Sequence, residues 1–342
     1  MVAALQSTGL PLITLKFSLA HALLAAAVAL ASPGRCAADD NYASLALQND
    51  FLLGNDGGGY SSGIFGSALR LASPGEVGVA PLWLFAPAAN WLGLPKPTLT
   101  SALLAQLIVT PDDITRAVPD PTDAPYLGAL KFRATQVYVR DDVADMVSFD
   151  IGVIGPASGA AQTQRFVHRL TGSKVPQGWH TQVPNRLLLS LAAYRGWRLP
   201  MGAGEASTAP ADVVLLGGGS VGSVQSSLGA SVLLRYGTGL DRSLPTTMRV
   251  NGSTGDPFVA GSGWFVFGGL STDRMLHYTG IGSAAAGNAA RLRKLQVAAK
   301  AGVAYGTPRW SLTFSLASVS ALVESSSARQ QYGSLTFAYL LR

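Results

Sequence analysis

The chain has 342 residues, a formal charge of +6 and 13% charged residues, against roughly 25% in ordinary soluble domains. The basic excess is spread rather than clustered, which argues against a nucleic-acid partner. Past the N-terminal region no apolar run reaches the roughly 18 residues of a helical span, so a helical membrane protein is excluded and a wall of alternating strands is favoured.

The first segment is not part of the fold. Lys16 precedes an uncharged Ala/Leu-rich run, Phe17 to Ala31, and a small-residue exit follows at Cys36-Ala37-Ala38. This pattern predicts a secretory signal over residues 1–38, cleaved after Ala38. The bulky, charged Arg35 before Cys36 argues against a lipoprotein. Cleavage would remove the single cysteine, so the exported chain folds without disulfides. Loss of Lys16 and Arg35 would lower the charge of +6 by two.

Residues 39–342 read as one all-β domain, a transmembrane antiparallel barrel of about 12 strands with a short helix in an extracellular loop. In chain order the strands are expected near 42–50, 62–71, 101–109, 127–139, 145–154, 187–198, 211–221, 226–237, 262–272, 292–306, 309–320 and 332–341. The alternation is plainest toward the end. Leu295, Val297, Val303 and Tyr305 share one face, whereas Gln296 and Lys300 lie on the other, which suits a polar lumen and not lipid. Leu335, Phe337, Tyr339 and Leu341 repeat the pattern, as do Leu228, Val232, Leu234 and Tyr236. Tyr236 and Tyr305, at strand ends, suit an interfacial girdle.

Long connections fall at 72–100, 110–126 and 156–186. The last contains Ala160 to Leu170, free of Gly and Pro, with Gly172 placed as a C-cap. On this helix Gln164 and His168 are i and i+4 and share a face. Arg165 and Arg169 form the neighbouring stripe. A carboxylate, a carboxamide, a glutamine and a histidine, as in Asn49-Asp50 and Gln164 with His168, are the parts of a metal-assisted hydrolytic site. From spacing alone His168 could equally be a solvated loop residue, and Asp50 a lumen-facing one. Strand alternation sends Asn49 and Asp50 to opposite faces, so both can serve one site only if the strand ends or bulges there. Trp179 and Tyr126 read as packing anchors.

Asn49-Asp50, Tyr60-Ser61-Ser62-Gly63, Thr110-Pro111, Asp123 with Pro125-Tyr126-Leu127-Gly128, the run Gly152-Val153-Ile154-Gly155-Pro156, Gln164 with His168, and Gly178-Trp179 before Gln182 occur in that order. Together they resemble the outer-membrane lipid A 3′-O-deacylases, twelve-stranded barrels of Gram-negative bacteria. The resemblance covers nearly all of the exported chain; each motif alone is common, and the ordered set is specific. It implies a calcium-dependent esterase acting on lipopolysaccharide in the bacterial outer membrane. His168 would be the general base, Gln164 would orient the base or the water, and Ser61 would line the site. Asp50 and Asn49 would help hold Ca²⁺, which would stabilise the oxyanion. Arg116 falls near a cationic position suited to a lipid A phosphate, and Arg165 would face the same headgroup.

Three positions depart from the family pattern. Ala124 stands where an arginine is usual, Lys174 where several members carry an acid, and Arg342 where an aromatic is typical. Asp56 is a candidate to supply the missing carboxylate. Ser61 lacks a Gly-x-Ser-x-Gly setting, which makes it a weak nucleophile candidate and a site-lining hydroxyl. A passive channel and a barrel that binds lipid A without cleaving it are the alternatives.

Overall fold

The computed structural model describes residues 40–50, 59–72, 76–92, 94–202, 210–248, 263–282 and 287–341. The signal-like segment, Asp56 and Arg342 lie outside them. Twelve antiparallel strands close into a barrel, each paired with its sequence neighbours and β1 with β12. They are β1 (Asp40–Asn49), β2 (Gly59–Leu71), β3 (Leu99–Thr110), β4 (Leu127–Arg140), β5 (Val143–Ile154), β6 (Arg186–Met201), β7 (Ala211–Gly222), β8 (Gln225–Gly237), β9 (Gly263–Tyr278), β10 (Leu295–Gly306), β11 (Trp310–Val319) and β12 (Gln330–Leu341). All twelve expected strands are present. Most run a residue or more past their expected limits, β9 the furthest, because ladder bonding continues beyond the clear alternation into Asp273, Arg274 and His277.

Register separates the two faces. Leu47, Ile64, Gln106 and Leu130 are directly opposite one another on β1 to β4. Leu47 and Ile64 are exposed, so this row faces lipid. Gln48, Lys131, Asp150 and Gln296 are buried inside. There Asp150 accepts a bidentate pair of hydrogen bonds from Arg133 (2.5 and 2.7 Å) and a third from Lys131 (3.2 Å), which satisfies a carboxylate removed from bulk water. Leu335, Phe337, Tyr339 and Leu341 are exposed to lipid as expected.

Both termini of the barrel lie at one end, with the 141–142 and 307–309 turns. In a bacterial outer-membrane barrel, which is inserted from the periplasm, the end that carries both termini is the periplasmic one. Here Tyr236 packs on Trp264 and Tyr305 on Trp310, ring centroids 6.2 and 5.6 Å apart, forming the girdle of an interface. At this end the chain after β8 also turns into the lumen. Leu240, Leu244 and Met248 join one buried cluster with Leu99, Val137, Val214 and Phe265 from facing walls. Arg235 ties the plug in place: it donates to Ser243 Oγ, Thr247 Oγ1 and the Leu240 carbonyl, each at 2.9 Å. Asp212, fully buried, accepts from both Arg235 and Arg198.

The opposite end carries the connections 111–126, 155–185, 279–294 and 320–329. They bond to one another: Asn288 Nδ2 donates to the Asp123 carbonyl (2.8 Å), Ala289 N to Pro121 O (2.7 Å) and Ser325 Oγ to Thr122 O (2.5 Å). No helix among the described residues is long and apolar enough to cross a membrane.

Candidate active site

The expected helix is present as Ala160–Thr171, one residue longer than read from sequence. It lies on the outside of the barrel. Asn49, Ser62, Ile108 and Gly128 form the next outward row above Leu47 and Ile64, and the helix start packs onto that row. Ile108, Tyr126, Ala160, Ala161 and Trp179 make one buried cluster. Gly128 permits the contact, since a Cβ there would collide with Ser158 and Ala160. Gln106, also outward-facing, donates through Nε2 to the Ser158 carbonyl at 2.7 Å. A helix apolar on one side thus closes over the extracellular rim of β3 and β4.

Gln164 is buried, and its Oε1 accepts from the Trp179 indole at 2.8 Å. An indole N–H can only donate, so the carboxamide orientation is set and its NH₂ is the group left to donate elsewhere. Trp179 itself packs at a tilt on Tyr126, ring centroids 4.9 Å apart; burial pushes the Tyr126 phenol up to about 12, so it remains a neutral donor, bonded to Ile114 O at 3.2 Å. Both aromatics are the packing anchors expected of them.

His168 stands one turn beyond Gln164 and is half-buried. Gly172 ends the helix in the left-handed conformation (φ 73°), its N–H returning to the His168 carbonyl. This turn brings the Lys174 carbonyl to 2.6 Å from His168 Nδ1. A carbonyl only accepts, so Nδ1 carries a proton, and in the neutral ring Nε2 presents the lone pair. Where an acid was expected, the main chain orients the ring. That contact had no side-chain signal in the sequence.

Strand alternation stops at the dipeptide Asn49-Asp50, and it does not fix the face on which Asp50 lies. β1 ends at Asn49, Asp50 is in a bend, and the ladder of β2 with β3 shifts between Tyr60 and Ser62, leaving Ser61 as the extra residue of a bulge. Asn49 belongs to the same outward row as Ile108 and Gly128, which carry the helix; Asp50 is 8% exposed. The Ser61 side chain lies outside the described residues. Gln48, on the lumen side, accepts from the Tyr60 phenol at 2.7 Å. The oxygens of Asn49 and Asp50 suit a hard cation such as calcium. No group of three or more His, Cys, Asp or Glu gathers among the described residues, so carboxamide, hydroxyl and main-chain oxygens would have to complete such a shell.

Arg116 is half-exposed and lies 3.9 Å from Asp120, so part of its charge is already engaged. Arg165 flanks Gln164 on the helix, within electrostatic reach of Tyr126. Ala124, in place of the family's usual arginine, is buried in one cluster with Val109, Leu127 and Val183.

The family model of the outer membrane protein LpxR matches residues 17–341. The chain belongs to the LpxR family. Among solved structures it is similar to LpxR from Salmonella typhimurium, with 16% identity, a TM-score of 0.69, and 88% of this chain and 100% of that one covered. At this identity the likeness concerns the fold. Weaker similarity extends to the beta domain of the Bordetella autotransporter BrkA (10% identity, TM-score 0.42, 88% and 98% covered). A search of curated protein sequences returns no match. As an LpxR-family barrel, this chain is a protein of the bacterial outer membrane.

Proposed function

We propose that the protein is a lipid A deacylase that hydrolyses the ester of the 3′-linked acyloxyacyl chain, with His168 as general base. The observation that carries this reading is the anchored tautomer of His168, on a helix that packs against the outer wall at the extracellular rim. A lipid in the outer leaflet can reach that surface from the side, without entering the barrel.

In the proposed reaction Nε2 of His168 takes a proton from water as the water oxygen bonds to the ester carbonyl carbon. The tetrahedral oxyanion then collapses, the bond to the sugar oxygen breaks, and His168 returns the proton to that oxygen. The products are a free acyloxyacyl acid and a 3′-hydroxyl. Gln164, its Oε1 held by Trp179, offers N–H donors to the water or the oxyanion. Ser61 lines the site, and Arg165 with Arg116 meets headgroup phosphate. Calcium, held through Asp50 and Asn49, would supply positive charge for the developing oxyanion. Lys174 contributes its carbonyl, which holds the His168 ring. The channel alternative is opposed by the plug across the lumen.

Mass spectrometry of lipid A from cells making wild type and His168→Ala tests the reaction. Wild type should shift lipid A by the mass of the acyloxyacyl chain, and the variant should lose ~10²–10⁴-fold of that rate. An unmodified profile with inserted wild-type barrel would leave a non-cleaving binder as the better account. Full activity in EGTA would remove the calcium role from Asp50 and Asn49.

A further inference from the structure

The long connection between β2 and β3 is at the periplasmic end, far from the candidate site. From Val77 to Pro95 it contains no charged residue; Glu76 and Lys96 bracket it. It leaves the wall as a continuation of the β2–β3 hairpin, with Ala72 N bonded to Thr98 O (2.9 Å) and Val79 N to Pro97 O (2.8 Å). Its tip forms the helix Ala86–Leu92. Val79 is buried, yet several of the large side chains are not: Trp91 is 85% exposed and Trp83 66%, and Val77, Leu84 and Leu94 are exposed too. Each tryptophan carries on the order of 150–250 Å² of buriable surface, so the pair alone approaches the largest apolar patch that a soluble monomer shows.

We infer that this connection is a membrane anchor, seated in the headgroup region of the periplasmic leaflet. The occupant follows from continuity. The hairpin stem starts at the barrel end marked by Tyr236–Trp264 and Tyr305–Trp310, so it begins at the water–lipid boundary, where tryptophan and leucine are most favourably placed. A segment uncharged over its whole tip and bracketed by one acid and one base partitions into that boundary without stranding a charge. The four-strand wall β1–β4 carries the rim helix at its other end, so the anchor would hold this sector of the barrel at fixed depth beneath the outer-leaflet site. The inference is independent of the proposed reaction.

Depth-dependent quenching tests it. With Cys36 replaced by Ser, Leu94→Cys leaves both tryptophans in place and can carry a polarity-sensitive fluorophore. The protein is reconstituted in phospholipid nanodiscs containing lipid spin-labelled near the headgroup. Ser327→Cys, exposed on the extracellular 320–329 connection, is the aqueous reference. The anchor predicts blue-shifted emission and loss of intensity with spin-labelled lipid at position 94, and neither at 327. Adding Trp83→Ser and Trp91→Ser should abolish the quenching at 94 while the barrel stays folded. Emission at 94 that matches 327 and yields to a water-soluble quencher would overturn the inference, and would point to a periplasmic protein as the partner. Trp91→Cys, labelled the same way, repeats the test should Leu94→Cys fail to insert.

Discussion

His168 owes its tautomer to the way its helix ends. Gly172 in the left-handed conformation turns the chain back so that the Lys174 carbonyl meets Nδ1. Substitution of the lysine side chain should therefore do little: Lys174→Ala keeps the carbonyl, and lipid A turnover should stay near wild type. Gly172→Val probes the same contact through the backbone. Nothing crowds a Cβ there, so the cost is the left-handed strain of about 1–2 kcal/mol. Turnover should fall because the carbonyl moves, while Gln164 stays in place. Activity unchanged in Gly172→Val and lost in Lys174→Ala would mean that the ammonium, not the carbonyl, matters. Trp179→Phe removes the donor to Gln164 Oε1 and leaves a buried acceptor unpaired, at about 1–3 kcal/mol. Denaturant unfolding should show that loss, and turnover should fall further than stability alone explains, because the carboxamide is then free to flip.

At the level of elements, the 111–126 connection is built on two aspartate turns. Asp113 accepts from Thr115 N and Oγ1, and Asp120 from Thr122 N and Oγ1, at 2.6–2.9 Å. Hydrogen bonds from those threonines hold both carboxyls below the ordinary 3.8. An acid whose folded value is depressed gives stability that is present above its unfolded value and lost as pH falls through the folded one. Asp123 goes the other way: burial raises it, so its ionised form opposes folding at neutral pH and protonation relieves that. Below the ordinary aspartate range the amides of Thr115 and Thr122 should lose protection against deuterium exchange, relative to their intrinsic rates at each pH, with the β3–β4 ladder still protected. Equal protection of both turns across that range would contradict the assignment. Both pairs share the local spacing Asp-x-Thr. The helix, its C-cap and its shared Gln164–His168 face were legible in the sequence, because they depend on local chain geometry. The side of the wall on which the helix lies was not. It depends on register across four strands and on Gly128 meeting Ala160, contacts between segments that no local pattern links.

For the whole molecule, strand number and the lumen-facing places of Gln296 and Lys300 followed from alternation and low charge. The plug did not, because its anchor is a charge network closed across three strands. Arg198, Asp212 and Arg235 are each buried, and Asp212 is their shared carboxylate. Asp212→Ala strands two guanidinium groups, and breaking such a pair costs ~3–5 kcal/mol. The variant barrel should unfold at lower denaturant, and planar bilayers should register conductance that wild type lacks. A silent, equally stable Asp212→Ala barrel would show that the plug is held by its apolar residues alone.

The helix on the outer face of the wall has one more consequence. A site there, if it cleaves lipid A, draws on a two-dimensional pool, and its rate follows the mole fraction of substrate in the surrounding surface rather than its bulk concentration. In mixed micelles at constant enzyme and lipid A, added inert detergent should slow turnover in proportion to the dilution of that surface. A rate that ignores detergent while bulk substrate is held fixed would place the encounter in solution. In the cell, such a barrel would sense how densely its neighbours are packed.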